Sequence, residues 1–379
     1  MKAAHDTPAH GTPGQGTPAH GTGSRGPDRG PRDAARAVRA VRTAGGLSFR
    51  LDTRTALVVV LLLAAAAAAA VVLIGSGDFS MAPGEVVTTL FGGGTFQQEF
   101  VVTELRLPRV LVGLLVGAAL GIGGAVFQSL SRNPLGSPDV LGFGQGSAVG
   151  ALVVIVLFQG GATEVALGAV CGGVLTGFAV YLLAWKRGVH GYRLVLVGIG
   201  AAAMLTAATH YLITKANLVD ATRAVVWMTG SLDGRDWAQV WPLLVVCGIL
   251  VPLVLGHGRP LRMLEMGDDA AHALGVRVER TRLVLLACAV LLVAVATAAA
   301  GPIVFVSLSA PQVARRLTRA PGPNLAAAGC TGAALLLVAD WTAMNAFGDR
   351  QLPVGVVTGV LGGCYLLWLL VTERRAGRI

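Results

Sequence analysis

The sequence predicts an all-α polytopic membrane protein of about ten transmembrane helices. Apolar residues make up 54% of the 379 and charged residues only 13%, a balance too apolar for one soluble core. Those apolar residues are gathered into long runs separated by short polar stretches. When the runs are taken as spans with the N-terminus inside, 24 of the 30 Lys and Arg fall on the cytosolic side, as the positive-inside rule requires.

Each span needs about 20 mostly apolar residues, because hydrocarbon offers no partner to an open backbone and a helix satisfies its own. Ten runs qualify, near 55–74, 107–130, 139–157, 163–184, 194–214, 238–256, 281–299, 303–318, 325–343 and 354–371. In the eighth, Pro302 and Pro311 interrupt the run and Arg315 and Arg316 close it, so a short or broken helix is expected there. An even number of spans puts both termini in the cytosol. Arg106, Arg109, Lys215, Arg223, Arg235 and Arg350 are then the external basic residues. The formal charge of +10 reflects orientation in the membrane. It is not a nucleic-acid footprint, since the arginines are dispersed among loops without interleaved aromatics.

Residues 1–52 differ in kind. "TPAHG" occurs at 7–11 and again at 17–21, in a Gly/Pro/Thr/His stretch with little apolar to bury, and the segment reads as a disordered cytosolic tail. Its His5, His10 and His20 lack the Cys or carboxylate partners that would fix a metal geometry. It carries no apolar region or cleavage site of a signal peptide. "RDAARAVRAVR" has the composition of a short basic helix lying on anionic lipid. The transmembrane domain is 53–375.

Catalytic and metal signatures are scarce. Cys171, Cys247, Cys288, Cys330 and Cys364 all fall inside apolar runs at no ligand-like spacing and read as small core hydrophobes. The sequence has no HExxH, no GxSxG and no P-loop; only Lys2, Lys186 and Lys215 are lysines, and none follows a phosphate-loop glycine. No cofactor is expected, and any nucleotide energy must come from another chain. Intramembrane ionisable residues are few: His210 and Asp340 stand near span ends, where pairing or an interface is expected. Gly113, Gly117 and Gly121 recur every four residues, stripping one helix face so that a neighbouring backbone can approach. An ion-coupled secondary transporter would show a similar Gly-rich bundle; a membrane enzyme would need convergent titratable groups, which are not seen.

Between spans two and three the chain reads "RNPLGSPDVLG" (132–142). Pro134 and Pro138 prohibit helix continuation and keep this a tight turn with Arg132 and Asn133 at its start. Further on, 261–276, "LRMLEMGDDAAHALGV", is too polar and too short to span, yet Met263, Leu264, Met266, Ala270, Ala271 and Leu274 give it partial helical periodicity. Gly267 followed by Asp268 and Asp269 looks like a helix start, where carboxylates suit the positive dipole end, and Gly275 like its stop.

The stretch 104–151, "ELRLPRVLVGLLVGAALGIGGAVFQSLSRNPLGSPDVLGFGQGSAVGA", closely resembles the FecCD family of ABC-importer permeases for iron-siderophores, haem and cobalamin. "LEMGDDAAHALGV" (264–276), "AGPIVFVSLSAPQVARRL" (300–317), an Asp in span nine and "LPVGVVTGVLGG" (352–363) agree with it in order and spacing, so the resemblance covers roughly 55–375. It implies a BtuC-like type II permease fold in the cytoplasmic membrane, dimerised with a second permease subunit of the same or another kind. It also implies two cytosolic ATPase subunits and an extracytoplasmic siderophore-binding lipoprotein, with ATP hydrolysis left to the partner chain. The turn with Arg132, Asn133, Pro134 and Pro138 would be cytosolic. Segment 261–276 would be the ATPase coupling helix pair, through Leu264, Gly267, Asp268, Asp269, Ala271, Leu274 and Gly275. Arg106 and Arg109, in "ELRLPR", would meet acidic residues of the binding protein, with Arg350 near a further docking position. "VVWMTGSLDGRDW" (225–237) and Gln312 after Pro311, where many members have His, look most like the ferric-enterobactin type. The expected substrate is therefore an anionic ferric catecholate siderophore, suited to external basic residues, ahead of haem or cobalamin.

Overall fold

The computed structural model describes residues 38–42, 48–77, 79–186, 191–346 and 351–375. The tail through Ala37, with its three histidines, and Arg350 lie outside them. Val38–Arg42 (β1) pairs antiparallel with Ser48–Asp52 (β2). A disordered tail to 52, with a basic helix on lipid as the option, is the expectation from the sequence; the structure has a two-stranded ribbon there, and Val38, Val41 and Phe49 are residues with high strand propensity.

Asp52 then caps Thr53–Gly75 (α1), its carboxylate accepting from the Arg54 amide at 3.2 Å. Pro83–Leu90 (α2) and Phe96–Phe100 (α3) follow, and a π-helical stretch, Val101–Arg106, runs directly into Leu107–Ser131 (α4). The second apolar helix is thus continuous from Phe96 to Ser131, 36 residues. Arg132 ends it in the left-handed region at φ 50°. Phe143–Val153 (α5) continues as a π-helical Val154–Phe158, so span three starts at 143 and 139–142 belongs to the turn. Ala162–Ala184 (α6), Gly191–Lys215 (α7), Leu218–Met228 (α8) and Trp237–Gly256 (α9) come next. The short pair Gly258–Glu265 (α10) and Asp268–Ala273 (α11) leads to Val278–Ala300 (α12). After non-helical 301–305 come Val306–Thr318 (α13), Leu325–Asn345 (α14) and Val354–Arg375 (α15).

Every one of the ten apolar runs carries a helix, but among the described residues seven are long and apolar enough to cross a membrane by themselves: α1, the α3–α4 run, α6, α7, α9, α12 and α14. A 23-residue helix such as α1 reaches about 35 Å, against an apolar layer of about 30 Å. Phe143–Phe158 and the apolar part of α15, Val354–Trp368, are shorter. The broken eighth run is α13, 13 residues long, entered by Phe305 at φ 69°.

Burial divides the bundle into centre and periphery. In α4 78% of the apolar window is buried, and in α12 and α14 67%, against 17% in α7. The outer helices therefore turn apolar side chains such as Leu57, Leu61, Met204 and Ile249 outward, the pattern of helices whose solvent is hydrocarbon. At the centre, the stripe Gly113, Gly117, Gly121 lies against α14. A Cβ on Gly117 would run into the Gly332 carbonyl and one on Gly121 into that of Ala328, so only glycine admits this backbone contact. A second such seam, unread in the sequence, joins Gly146 and Gly150 of α5 to Gly172 and Gly168 of α6.

Candidate functional site

Charged side chains collect at the two ends of the bundle. At one end stands the α10–α11 pair. Leu264 and Ala271 face inward and are buried, whereas Met266 and Leu274 are exposed, at 61% and 56%. Gly267 turns the chain between the two helices at φ 121°, a conformation side chains rarely adopt, and Gly275 ends α11 at φ 81°. Asp268 and Asp269 occupy the first turn of α11.

Asp268 points back into the bundle. Both its oxygens accept from Arg282 of α12, at 2.9 and 3.0 Å, and Oδ1 also takes the Arg132 guanidinium. Burial raises the Asp268 pKa, but the Arg282 hydrogen bond and the charges of Arg282 and Arg132 outweigh it and hold the carboxyl below its usual range. Arg132 also donates through Nε to the Leu264 carbonyl at 3.1 Å. One residue before Met266, Glu265 accepts from Ser129 of α4 at 2.7 Å and lies 3.7 Å from Arg315 of α13. The turn 132–142 is thus fastened to this segment. Within it, Asn133 Oδ1 accepts from the Leu135 amide at 2.9 Å, and the Pro134 carbonyl accepts from Gln312 at 2.8 Å. Arg132, Asn133, Glu265 and Arg315 line a polar recess of about 330 Å³.

Deeper in, Ser307 at the start of α13 donates to Asp139 of the turn at 2.7 Å. Asp139, Val140, Val304 and Phe305 line an otherwise apolar cleft of about 420 Å³.

The opposite end carries Arg106 and Arg109. Expected to meet a binding protein together, they turn to different partners within the chain. Arg106 donates to the Ile74 carbonyl at the end of α1, 2.6 Å away. Arg109 forms a bidentate pair with Asp340 of α14, both bonds 2.9 Å, and a longer bond to Asp233 at 3.3 Å. Arg109 is only 13% exposed and Asp340 1%, while Asp233 is 73% exposed. The guanidinium is engaged inside the chain and the outward charge at this spot is the Asp233 carboxylate. The expectation that Asp340 would be paired specified no partner; Arg109, 231 residues away, left no local sequence signal.

Among the described residues no group of three His, Cys, Asp or Glu could hold a metal, and the five cysteines are free thiols. An apolar bundle with its ionic groups at the two ends, and a polar helix pair fastened to one of them, is the architecture of a polytopic membrane protein. The chain belongs to the FecCD transport family, whose pattern matches residues 60–372, and that family supplies permeases of ABC importers. It is 49% identical to the ferric enterobactin transport system permease protein FepG of Escherichia coli, over 79% of this chain and 91% of that one. It is 39% identical to the iron(3+)-hydroxamate import system permease protein FhuG of Bacillus subtilis, over 78% and 90%. With a vitamin B12 import system permease protein BtuC of Shigella boydii it shares 36% identity over 78% and 91%. A solved metal-chelate type ABC transporter in an inward-facing conformation superposes with a TM-score of 0.73 at 26% identity, covering 84% of this chain and 99% of that one.

Proposed function

We propose that this chain is the permease subunit of an ABC importer that carries a ferric siderophore, of catecholate type, across the cytoplasmic membrane. The observation that carries the reading is the 49% identity to the ferric enterobactin permease along nearly that protein's whole length, ten percentage points above the hydroxamate permease. The chain crosses the membrane ten times with both termini in the cytosol, α13 and the shorter α5 and α15 completing the path that the seven long helices begin. A second permease subunit, identical or related, shares the translocation path. Two ATPase subunits engage the exposed Met266 and Leu274 of the α10–α11 pair, and an extracytoplasmic lipoprotein delivers the substrate to the Arg106 end. There Arg106, the exposed Asp233 and Arg350 offer the charges for docking, while Arg109 holds the surface they stand on. Such docking sets association rate and register more than affinity.

The test is complementation of a strain lacking its ferric enterobactin permease genes, with the cognate partner subunits supplied. Uptake of radiolabelled ferric enterobactin is expected, and not of a ferric hydroxamate or cyanocobalamin. Uptake of either of those instead would reassign the substrate, and transport by this chain alone in liposomes under an ion gradient would overturn the ABC reading.

A further inference from the structure

The reading above makes the α10–α11 pair the surface that the ATPase moves; what it leaves open is how movement there reaches the spans. We propose that two carboxylates, Asp268 and Glu265, are the positioning residues that bind this pair to the ends of three central helices, so that it and those helix ends move as one rigid unit.

The geometry is specific. Asp268 joins α11 to α12 through Arg282 and to the end of α4 through Arg132. Glu265 joins the end of α10 to α4 through Ser129 and to α13 through Arg315. Arg132 closes the circuit by holding the Leu264 carbonyl. Neither carboxylate faces the exposed apolar residues, which are Met266 and Leu274; both act inward. The Arg282 side chain is 7% exposed and Asp268 38%; Arg282 Nη2 donates to both Asp268 oxygens, and a charge-assisted bond with one partner buried holds its register better than a fully exposed pair. By contrast, the backbone around α11 is soft: a glycine in a rarely used conformation stands at each end, with nothing packed within 4 Å of where a Cβ would lie. A short helix between two such turns is held against the bundle by few side chains, the buried Ala271 and the paired Asp268. Through Asp268 and Glu265 the push passes to α4, α12 and α13. Ser307, in the first turn of α13, is the residue bonded to Asp139 at the apolar cleft, so the chain of contacts reaches that cleft.

The experiment uses the complete importer, with its ATPase and binding protein, in proteoliposomes. Substrate moved per ATP hydrolysed is measured with ferric enterobactin for the parent, Asp268→Asn, Asp268→Glu and Glu265→Gln. The expected result is a loss of about tenfold in that ratio for Asp268→Asn, a coupling of ordinary allosteric size, a smaller loss for Glu265→Gln and substantial recovery in Asp268→Glu. A second readout needs no substrate. With the five native cysteines replaced, nitroxides at His272→Cys, exposed on α11 and outside the ATPase-facing residues named above, and at Leu135→Cys report the distance from α11 to the turn by pulsed EPR. That distance should stay constant between nucleotide-free and vanadate-trapped states in the parent and change in Asp268→Asn. If it changes as much in the parent, or if Asp268→Asn transports at the parental ratio, the proposal is overturned. Should Asp268→Asn fail to assemble, Arg132→Gln, which leaves the Arg282 pair in place, decides by the same two readouts. Failure of the underlying reading looks different: the parent itself moves no ferric enterobactin or retains no ATPase.

Discussion

Arg109 and Asp340 are the residues whose meaning changes most between sequence and structure. In the sequence Arg109 is one of two external arginines three apart; folded, it is the cation that makes a buried aspartate tolerable in α14. A buried pair adds little net stability, yet removing one partner strands the other charge and costs about 3–5 kcal/mol. Arg109→Ala and Asp340→Ala should therefore each lower the unfolding temperature of the purified protein sharply, and the double variant should cost less than the sum. Additive losses in a double-mutant cycle would show that the pair is not coupled. Reversing Arg109 to Glu is consequently a poor test of docking, since it sets a carboxylate against Asp340. Arg106→Glu alone, read as salt-dependent binding of the lipoprotein, is the better one. Asp268 allows a prediction about pH. Its folded-state pKa is depressed, so its stabilisation is complete above the unfolded value of about 3.9 and is lost only as pH falls through the lower folded value. The stability gap between the parent and Asp268→Asn should accordingly be constant from about pH 5.5 to 8 in thermal unfolding. A gap that shrinks on going from pH 8 to 6 would mean that the Asp268 carboxyl titrates near neutrality and is not held by Arg282 and Arg132.

At the scale of elements, the legible features were those written in local periodicity. Four-residue glycine spacing marks a close-packed face in α4, and the structure supplies the partner, Gly332 and Ala333 of α14. Gly117→Leu should separate these helices and abolish a monodisperse profile in detergent, since backbone stands where the side chain would go and overpacking cannot relax into a void. A normal profile with full transport would show that α4 tolerates the displacement. The seam of α5 with α6 carries the same four-residue spacing, Gly146 and Gly150 in one helix and Gly168 and Gly172 in the other, so the same rule makes it legible; what the sequence does not say is that the two pair with each other. Asp268 was read as a helix-start carboxylate, a local role; its pairing with Arg132, 136 residues earlier, depends on tertiary packing and left no spacing to find. Likewise the unwinding at 301–305 was signalled by Pro302, whereas the left-handed Phe305 that enters α13 was not.

Across the whole molecule, hydropathy located the helix of each apolar run but not its depth, and it left out α2, α3 and α8, which are short and carry polar residues. The ten runs carry ten helices, yet α5, α13 and the apolar part of α15 are short, and a run of apolar residues in sequence cannot distinguish a full crossing from a helix that starts partway. Cysteine labelling measures the topology, and the structure supplies the positions for it. Arg132, Glu265, Asp268, Arg282 and Arg315 meet at one end, and Arg106, Arg109, Asp233 and Asp340 at the other. The first group lies at the end where the sequence concentrates Arg259, Arg262, Arg277, Arg280, Arg316 and Arg319 as well, so that end should be cytosolic. Single cysteines placed at Met266 and Leu274, both exposed, should then be labelled by a membrane-impermeant maleimide only in inside-out vesicles. Those at Phe91 and Leu218, 88% and 83% exposed, should be labelled in intact spheroplasts. The background must lack the native thiols at Cys171 and Cys364, which are themselves exposed on the bundle surface. Labelling of Leu274→Cys from outside would invert the molecule, place the α10–α11 pair where no ATPase can reach it, and remove the coupling role together with the orientation.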